Sequence, residues 1–300
     1  MYDIEKITIV HSVEEAVHAL QSDCEARIIA GGSDVLIKIR EGEYAGCRLV
    51  SIREITSLHG IKLEDDGTIF IGPLTTFSEI IESPIIQKYI DVLGFAADQV
   101  GGPQIRNIGT VGGNISNGVT GADTASTLCA LNAVIEITGP AKDNPKKLAV
   151  RHVPLQDYYV KAGKVCLEPG ELCTGIRIYK KDYEGYKGSY IKYAMRNAMD
   201  IATLGCSVVS KITEASTGDK IMQDIRIAFG VAGPVPLRCR QTEEKLRNLP
   251  INENFFYELS HSIIDDINPR TSWRASKDFR LQLAQELPVR ALKQNIGETL

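Results

Sequence analysis

The chain has 300 residues, 43% of them hydrophobic, with 34 basic against 38 acidic side chains and a net charge of −4. Such a length buries a large core without disulfide staples and suits two or three subdomains. No Lys/Arg run is long enough to track a phosphate backbone, so nucleic acid is excluded as a partner. No apolar stretch reaches the roughly 20 residues that span a bilayer, and Met1-Tyr2-Asp3-Ile4-Glu5 lacks the basic start and apolar core of a secretion signal. No membrane contact and a cytoplasmic location are therefore expected.

From the start of the chain, Ile4 to Val10 reads as a strand, and Ser12-x-x-Glu15 is a capping-box pattern ahead of Val13, Ala16, Val17 and Leu20 on one helical face. A short apolar run, Arg27-Ile28-Ile29-Ala30, stops at Gly31-Gly32-Ser33-Asp34 and restarts as Val35-Leu36-Ile37, which places the glycines at a strand-to-helix junction. Leu49 to Ile52, Ile61 to Leu63 and Thr68 to Ile71 read as strands, the last two joined by Glu64-Asp65-Asp66-Gly67 as a hairpin turn. Thr76-x-x-Glu79 caps a short helix. Ile86, Tyr89, Ile90, Leu93, Ala97 and Val100 then repeat at the spacing of one amphipathic helix, ended by Gly101-Gly102-Pro103.

The stretch from Gln104 to Asn114 is too rich in glycine for a regular element and too apolar for a solvated loop. Asp123 can cap a helix through Leu131, and Val134 to Thr138 follows as a strand. Composition turns charged and turn-prone from Lys180 to Gly188, which sets a boundary between domains spanning 1–180 and 186–291. Beyond it, Ser189 to Met195, Gly205 to Ile212 and Ile225 to Val231 predict three strands, and Phe255 to Ile264 and Lys277 to Leu287 predict helices, an α+β arrangement.

Seven cysteines (Cys24, Cys47, Cys129, Cys166, Cys173, Cys206 and Cys239) form an odd set without a C-x-x-C pair, so they read as reduced core thiols. The five histidines are scattered away from carboxylates and cysteines, and no metal is expected in this chain.

Two glycine segments carry the chemistry. Gly31-Gly32-Ser33-Asp34 offers backbone N–H groups unobstructed by Cβ atoms, with a helix start behind them and a hydroxyl on Ser33, an arrangement that holds a pyrophosphate. Taken alone, a Gly-Gly pair reads as a tight turn, and neither G-x-G-x-x-G nor G-x-x-x-x-G-K-[ST] occurs. Thr110-Val111-Gly112-Gly113-Asn114 supplies a second such segment, and two suit a dinucleotide.

Arg27 to Asp34 together with Ile105 to Asn114 closely resembles the paired FAD-binding loops of the molybdenum hydroxylase flavoprotein family, which includes the medium subunits of xanthine, nicotinate, carbon monoxide and 4-hydroxybenzoyl-CoA dehydrogenases. Lys192 to Ala202 and Pro269 to Ser276 resemble the second domain of the bacterial xanthine dehydrogenase flavoproteins, so the similarity covers essentially the whole chain. The resemblance implies an α+β protein: two α/β subdomains forming a PCMH-type FAD-binding domain, then a smaller α+β C-terminal domain with a three-stranded antiparallel sheet. It implies that Arg27, Ile28, Ile29, Ala30, Gly31, Gly32, Ser33 and Asp34 wrap the FAD pyrophosphate, and that Thr110, Val111, Gly112, Gly113 and Asn114 meet the pyrophosphate and ribityl region. Asp123 would accept a hydrogen bond from FAD, while Leu172, Cys173 and Lys192 would contact the flavin ring.

Arg196 and Asp200 bracket a segment that resembles a loop lying over the ring, where it would gate access; otherwise they form an exposed turn. The implied activity is that of an oxidoreductase subunit with noncovalent FAD, which takes electrons from 2Fe-2S clusters on a small partner subunit and passes them as hydride to NAD. Molybdopterin resides on a large partner subunit in the same hetero-oligomer. The cysteine-rich insertion of the 4-hydroxybenzoyl-CoA branch is absent, and a flavin reductase of the related cell-wall fold is the competing enzyme. A fold-retaining subunit that has lost FAD is the competitor outside enzymes, and intact glycines in both segments argue against it.

Overall fold

A computed structural model describes residues 2–216 and 218–298. The first unit is a parallel sheet of β1 (Ile4–Ile9), β2 (Arg27–Ile29) and β3 (Cys47–Ser51), with β3 in the middle. The helix Val13–Ser22 begins where Ser12 accepts a hydrogen bond from the Glu15 N–H, while the Glu15 carboxylate takes the His11 N–H one residue further back than a strict capping box would. Ala16, Val17 and Leu20 are the buried face of this helix, packed with Val50, Ile52 and Leu74.

The second unit is an antiparallel sheet. β4 (Ile61–Leu63) and β5 (Ile69–Ile71) form the predicted hairpin, and β6 (Val134–Pro140) and β7 (Leu148–Pro154) follow. Between β7 and the last strand lies a small ribbon of β8 (Tyr159–Lys161) and β9 (Lys164–Val165). β10 (Leu172–Ile178) then inserts between β5 and β6, giving the order β4-β5-β10-β6-β7. Helices pack on one face of this sheet, and the Thr76–Glu79 capping box forms in full. The single predicted helix from Ile86 to Val100 is two, Pro84–Tyr89 and Asp91–Asp98, broken at Ile90 with φ −147 and ψ 50.

The third unit is an antiparallel sheet of β11 (Lys187–Tyr193), β12 (Leu204–Glu214), β13 (Lys220–Gly230) and a short fourth strand, β14 (Leu237–Arg238), beyond the three expected. One face packs on the helices Glu253–Ser262 and Lys277–Ile296 through Phe229, Phe255, Leu259, Ala284 and Leu292. The opposite face reaches the central unit: Val209 and Ala228 share a core with Ala125 and Leu128, and the Thr127 and Ser207 hydroxyls bond at 2.6 Å. The protein is thus α+β throughout, with its second and third sheets clasping the helix Asp123–Ala130.

Candidate functional site

A cavity of about 1060 Å³ opens where the three units meet. That is the upper end of the roughly 300–1,000 Å³ usual for small-molecule clefts, room enough for a dinucleotide. Of the residues singled out from sequence, Arg27, Ile28, Ala30, Gly31, Gly32, Ser33, Asp34, Thr110, Gly112, Gly113, Asn114, Asp123, Leu172, Cys173 and Asp200 line it. Ile29, Val111, Lys192 and Arg196 do not.

The first glycine segment has the chemistry of an anion cradle. Gly32 has φ +76°, a left-handed conformation that glycine adopts without strain, and it turns the chain from β2 into the helix Val35–Arg40. The backbone N–H groups of Gly31, Gly32, Ser33 and Asp34 find no protein acceptor among the described residues, and all four residues line the cavity. Four successive unpaired donors at one wall fit the oxygens of a pyrophosphate. Ile29 stays beneath the turn, its Cδ1 3.5 Å from the position a Cβ on Gly32 would take. At the outer end the Arg27 guanidinium lies 3.8 Å above the Tyr44 ring, and Asp34 pairs with Lys38 at 2.8 Å, which offsets the carboxylate's charge beside the donors.

Gly31 is constrained from behind rather than by a ligand. A Cβ there would stand 1.9 Å from the Ile108 carbonyl oxygen, so the two glycine segments meet backbone to backbone.

The second segment corrects the expectation in two ways. It is regular: Pro103–Arg106 makes one turn, and Val111–Ser116 is a helix with Thr110 as its N-cap. Its amide groups are also occupied, Val111 by the Thr75 carbonyl, Gly112 by the Pro73 carbonyl and Gly113 by the Thr110 hydroxyl, at 3.0, 2.9 and 3.2 Å. Val111 itself is fully buried in the central core. What this segment presents to the cavity is the bare Cα of Gly113, where an added Cβ meets only Thr110 Oγ1, together with Asn114, whose Oδ1 accepts from the Thr124 hydroxyl.

Asp123 is the first residue of its helix, not the cap, and makes no bond to the helix amides. Its carboxylate instead accepts from the Tyr190 hydroxyl and the Lys192 ammonium, both at 2.9 Å. Burial pushes the Asp123 carboxyl above its usual range, against the pull of Lys192 and Tyr190. Lys192 is 5% exposed at its side chain and also donates to the Gln99 carbonyl, so its ammonium sits behind Asp123 rather than in the cavity wall. A flavin contact from Lys192 therefore gives way to a supporting one. Leu172 and Cys173 come from the inner strand β10, and burial pushes the Cys173 thiol up to about 12, leaving it a neutral group facing the cavity.

The mouth is formed by the connection between β11 and β12. Asp200 accepts from the N–H groups of Arg196 and Ile201, each at 2.9 Å, and the Arg196 guanidinium donates to the Met199 carbonyl at 2.8 Å while its side chain stays 67% exposed. Partial burial raises the Asp200 carboxyl, but those N–H donors and Arg196 hold it below its ordinary range. Met199 has a left-handed φ of 55° and lies over Gly102, with its Cγ 3.3 Å from the position a Cβ on Gly102 would take.

Sequence reasoning missed Tyr44, Met199 and Ile201 as lining residues, and with them the wall from Gly163 to Gly170. One signal was readable there: Pro169-Gly170 is a turn dipeptide ahead of a buried strand. No histidine lines the cavity, and among the described residues no cluster of His, Cys, Asp and Glu could hold a metal. No helix among the described residues is long and apolar enough to cross a membrane.

Comparison with known proteins adds the following. Residues 3–180 match the family described as FAD binding domain in molybdopterin dehydrogenase, and residues 189–295 match the CO dehydrogenase flavoprotein C-terminal domain. The chain is 36% identical over 297 residues to the xanthine dehydrogenase FAD-binding subunit of Escherichia coli, covering 99% of this chain and 98% of that one. It is 30% identical over 284 residues to the carbon monoxide dehydrogenase medium chain of Hydrogenophaga pseudoflava, covering 94% and 93%. A solved structure of carbon monoxide dehydrogenase from Hydrogenophaga pseudoflava superposes with a TM-score of 0.89 at 28% identity, covering 99% of both chains.

Proposed function

Because the chain belongs to the family of FAD binding domains in molybdopterin dehydrogenases, we propose that it is the FAD-carrying subunit of a xanthine dehydrogenase-type molybdenum hydroxylase, with NAD as electron acceptor. It works in the cytoplasm beside a molybdopterin-binding large subunit and a 2Fe-2S small subunit. The observation that carries this reading is the row of four unpaired amides from Gly31 to Asp34 on the wall of a dinucleotide-sized cavity. Identity of 36% to a xanthine dehydrogenase subunit, against 30% to a carbon monoxide dehydrogenase chain, favours a purine-type complex.

Bound FAD would supply the two-electron chemistry that none of these side chains offers. The residues supply position. Amides 31–34 and the Ser33 hydroxyl hold the phosphates, the bare face of Gly113 admits close approach, and Asn114 and Asp123 offer acceptors further along the cavity. Lys192 and Tyr190 orient the Asp123 carboxylate from behind. Leu172 and Cys173 give the inner wall a neutral, apolar character that excludes water.

Arg196 to Asp200 gates the mouth in this reading. A nicotinamide must stack on the ring for hydride transfer, so the loop has to stand clear of one face while the acceptor is present. Asp200 anchors it through two backbone N–H groups. Replacing Asp200 by alanine in the reconstituted complex is expected to lower turnover with NAD several-fold more than turnover with a dye that draws electrons upstream of the flavin. Steady-state assays with both acceptors on one preparation check this; equal losses, or none, would remove the loop from the mechanism.

A further inference from the structure

The loop from Arg270 to Ser276 is rigid, cationic and tipped by an exposed indole. Trp273 is 77% exposed, and the Arg274 guanidinium stacks 4.2 Å from its ring centroid. Ordinary surfaces do not hold a tryptophan this far into water without a partner to receive it. Nor does the loop flop: Ser272 and Ala275 bridge across its neck, and the Arg280 guanidinium, 1% exposed, reaches in from the following helix. Arg280 donates to the Arg270 and Ala275 carbonyls and to the Ser272 hydroxyl, and its Nε donates to the Thr203 carbonyl at 3.0 Å. Thr203 lies two residues beyond Ile201, a residue of the cavity wall, so the loop is fastened to the segment that forms the cavity mouth.

The charge here is uncompensated. Neither Arg270, Arg274 nor Arg280 has a carboxylate partner among the described residues, and the Nε of Arg274 is buried without any partner. Burial, together with repulsion from Arg270 and Arg274, depresses Arg280 below its ordinary range. Lys277 adds a further cation, spent only on the Asn268 side-chain oxygen. A partner surface that brought carboxylates to this loop would relieve the repulsion while taking in the indole, and Trp beside Arg is the pairing that dominates protein–protein hot spots.

We propose that the Trp273–Arg274 loop is the docking anchor for the electron-donating partner subunit, inserting its indole into an apolar socket rimmed by acidic side chains. The inference rests on the multi-subunit reading above. The choice of the electron donor follows from the Arg280–Thr203 link, since that subunit must reach the cavity mouth whereas a remote scaffold need not.

The test titrates the full-length, FAD-loaded chain against the purified 2Fe-2S subunit and, separately, against the molybdopterin subunit. Trp273→Ala is expected to raise Kd for the 2Fe-2S subunit at least about thirty-fold, the scale of a single hot-spot residue. FAD content and melting temperature should stay at their wild-type values, because the indole touches little of its own chain. Arg274→Glu should do the same and slow association most at low salt. A Kd within about threefold of wild type for both variants, or a loss confined to the molybdopterin subunit, overturns the anchor. So does loss of FAD in both variants, which would make the loop part of the cofactor fold. A wild-type chain that binds FAD but neither subunit overturns the multi-subunit reading itself.

Discussion

Gly31→Ala should cost the protein its FAD and at least ~3 kcal/mol of stability, beyond the ordinary penalty for an overpacked site. The added methyl would stand 1.9 Å from the Ile108 carbonyl oxygen and 2.8 Å from its carbon, and the neighbouring Gly109 Cα lies within 3.2 Å. These are backbone atoms, so no rotamer change relieves the clash. The strand-to-helix turn and the Ile108–Gly109 segment must part, and the amides of residues 31–34 move away from the wall they share with Gly113. Flavin absorbance per chain together with a urea melt measures both losses. Wild-type flavin content would show that the backbone contact is not what shapes the cavity.

Asp123→Ala should destabilise the fold by ~3–5 kcal/mol, the cost of stripping one partner from a buried ion pair. The side chains of Asp123 and Lys192 are 9% and 5% exposed, and without the carboxylate the ammonium retains only the Gln99 carbonyl while the Tyr190 hydroxyl loses its acceptor. Asp123→Asn keeps an acceptor and should lose less. Removing the charge as well, in Asp123→Ala with Lys192→Met, should recover part of the loss, because an uncompensated cation is worse than none. Denaturant melts on the three variants measure the coupling; additive losses would mean the two side chains do not act as a pair.

The local grammar of this chain was legible wherever a single interaction decides the structure. Thr76-x-x-Glu79 forms its reciprocal cap, and Glu64 to Gly67 turns the β4–β5 hairpin through the Gly67 and Glu64 backbone. The first glycine segment sits at the junction expected of it. Tertiary contacts decided the rest. Periodicity could not reveal the break at Ile90, because Ile86, Ile90, Leu93 and Ala97 all face the same core on both sides of it. The Gln104 to Asn114 stretch becomes helical because Pro73 and Thr75, some 35 residues upstream, hold its amides, so the glycine cost is met by contacts that local propensity cannot contain.

Pro288 hid the length of the last helix. A proline costs a helix interior ~3 kcal/mol, which argues for a stop at Leu287. The helix runs on to Ile296 because Leu287, Ala291 and Leu292 are all buried in the C-terminal core. In the site, Asp123 and Lys192 were both named from resemblance, but that one stands behind the other follows from β11 crossing behind the helix Asp123–Ala130 and from no spacing along the chain. Met199 and Ile201 line the cavity only because the β11–β12 connection folds back over Gly102 and Gly121.

The central claim is that the cavity between the three units holds one FAD without a covalent bond, and acid precipitation of the purified protein tests it most directly. No histidine lines the cavity, and its Cys173 is a neutral thiol, so the yellow colour should pass entirely into the supernatant as intact FAD, about one per chain. Flavin left in the pellet would contradict the noncovalent site. A colourless preparation that takes up no FAD when the cofactor is added would contradict the reading of the cavity altogether.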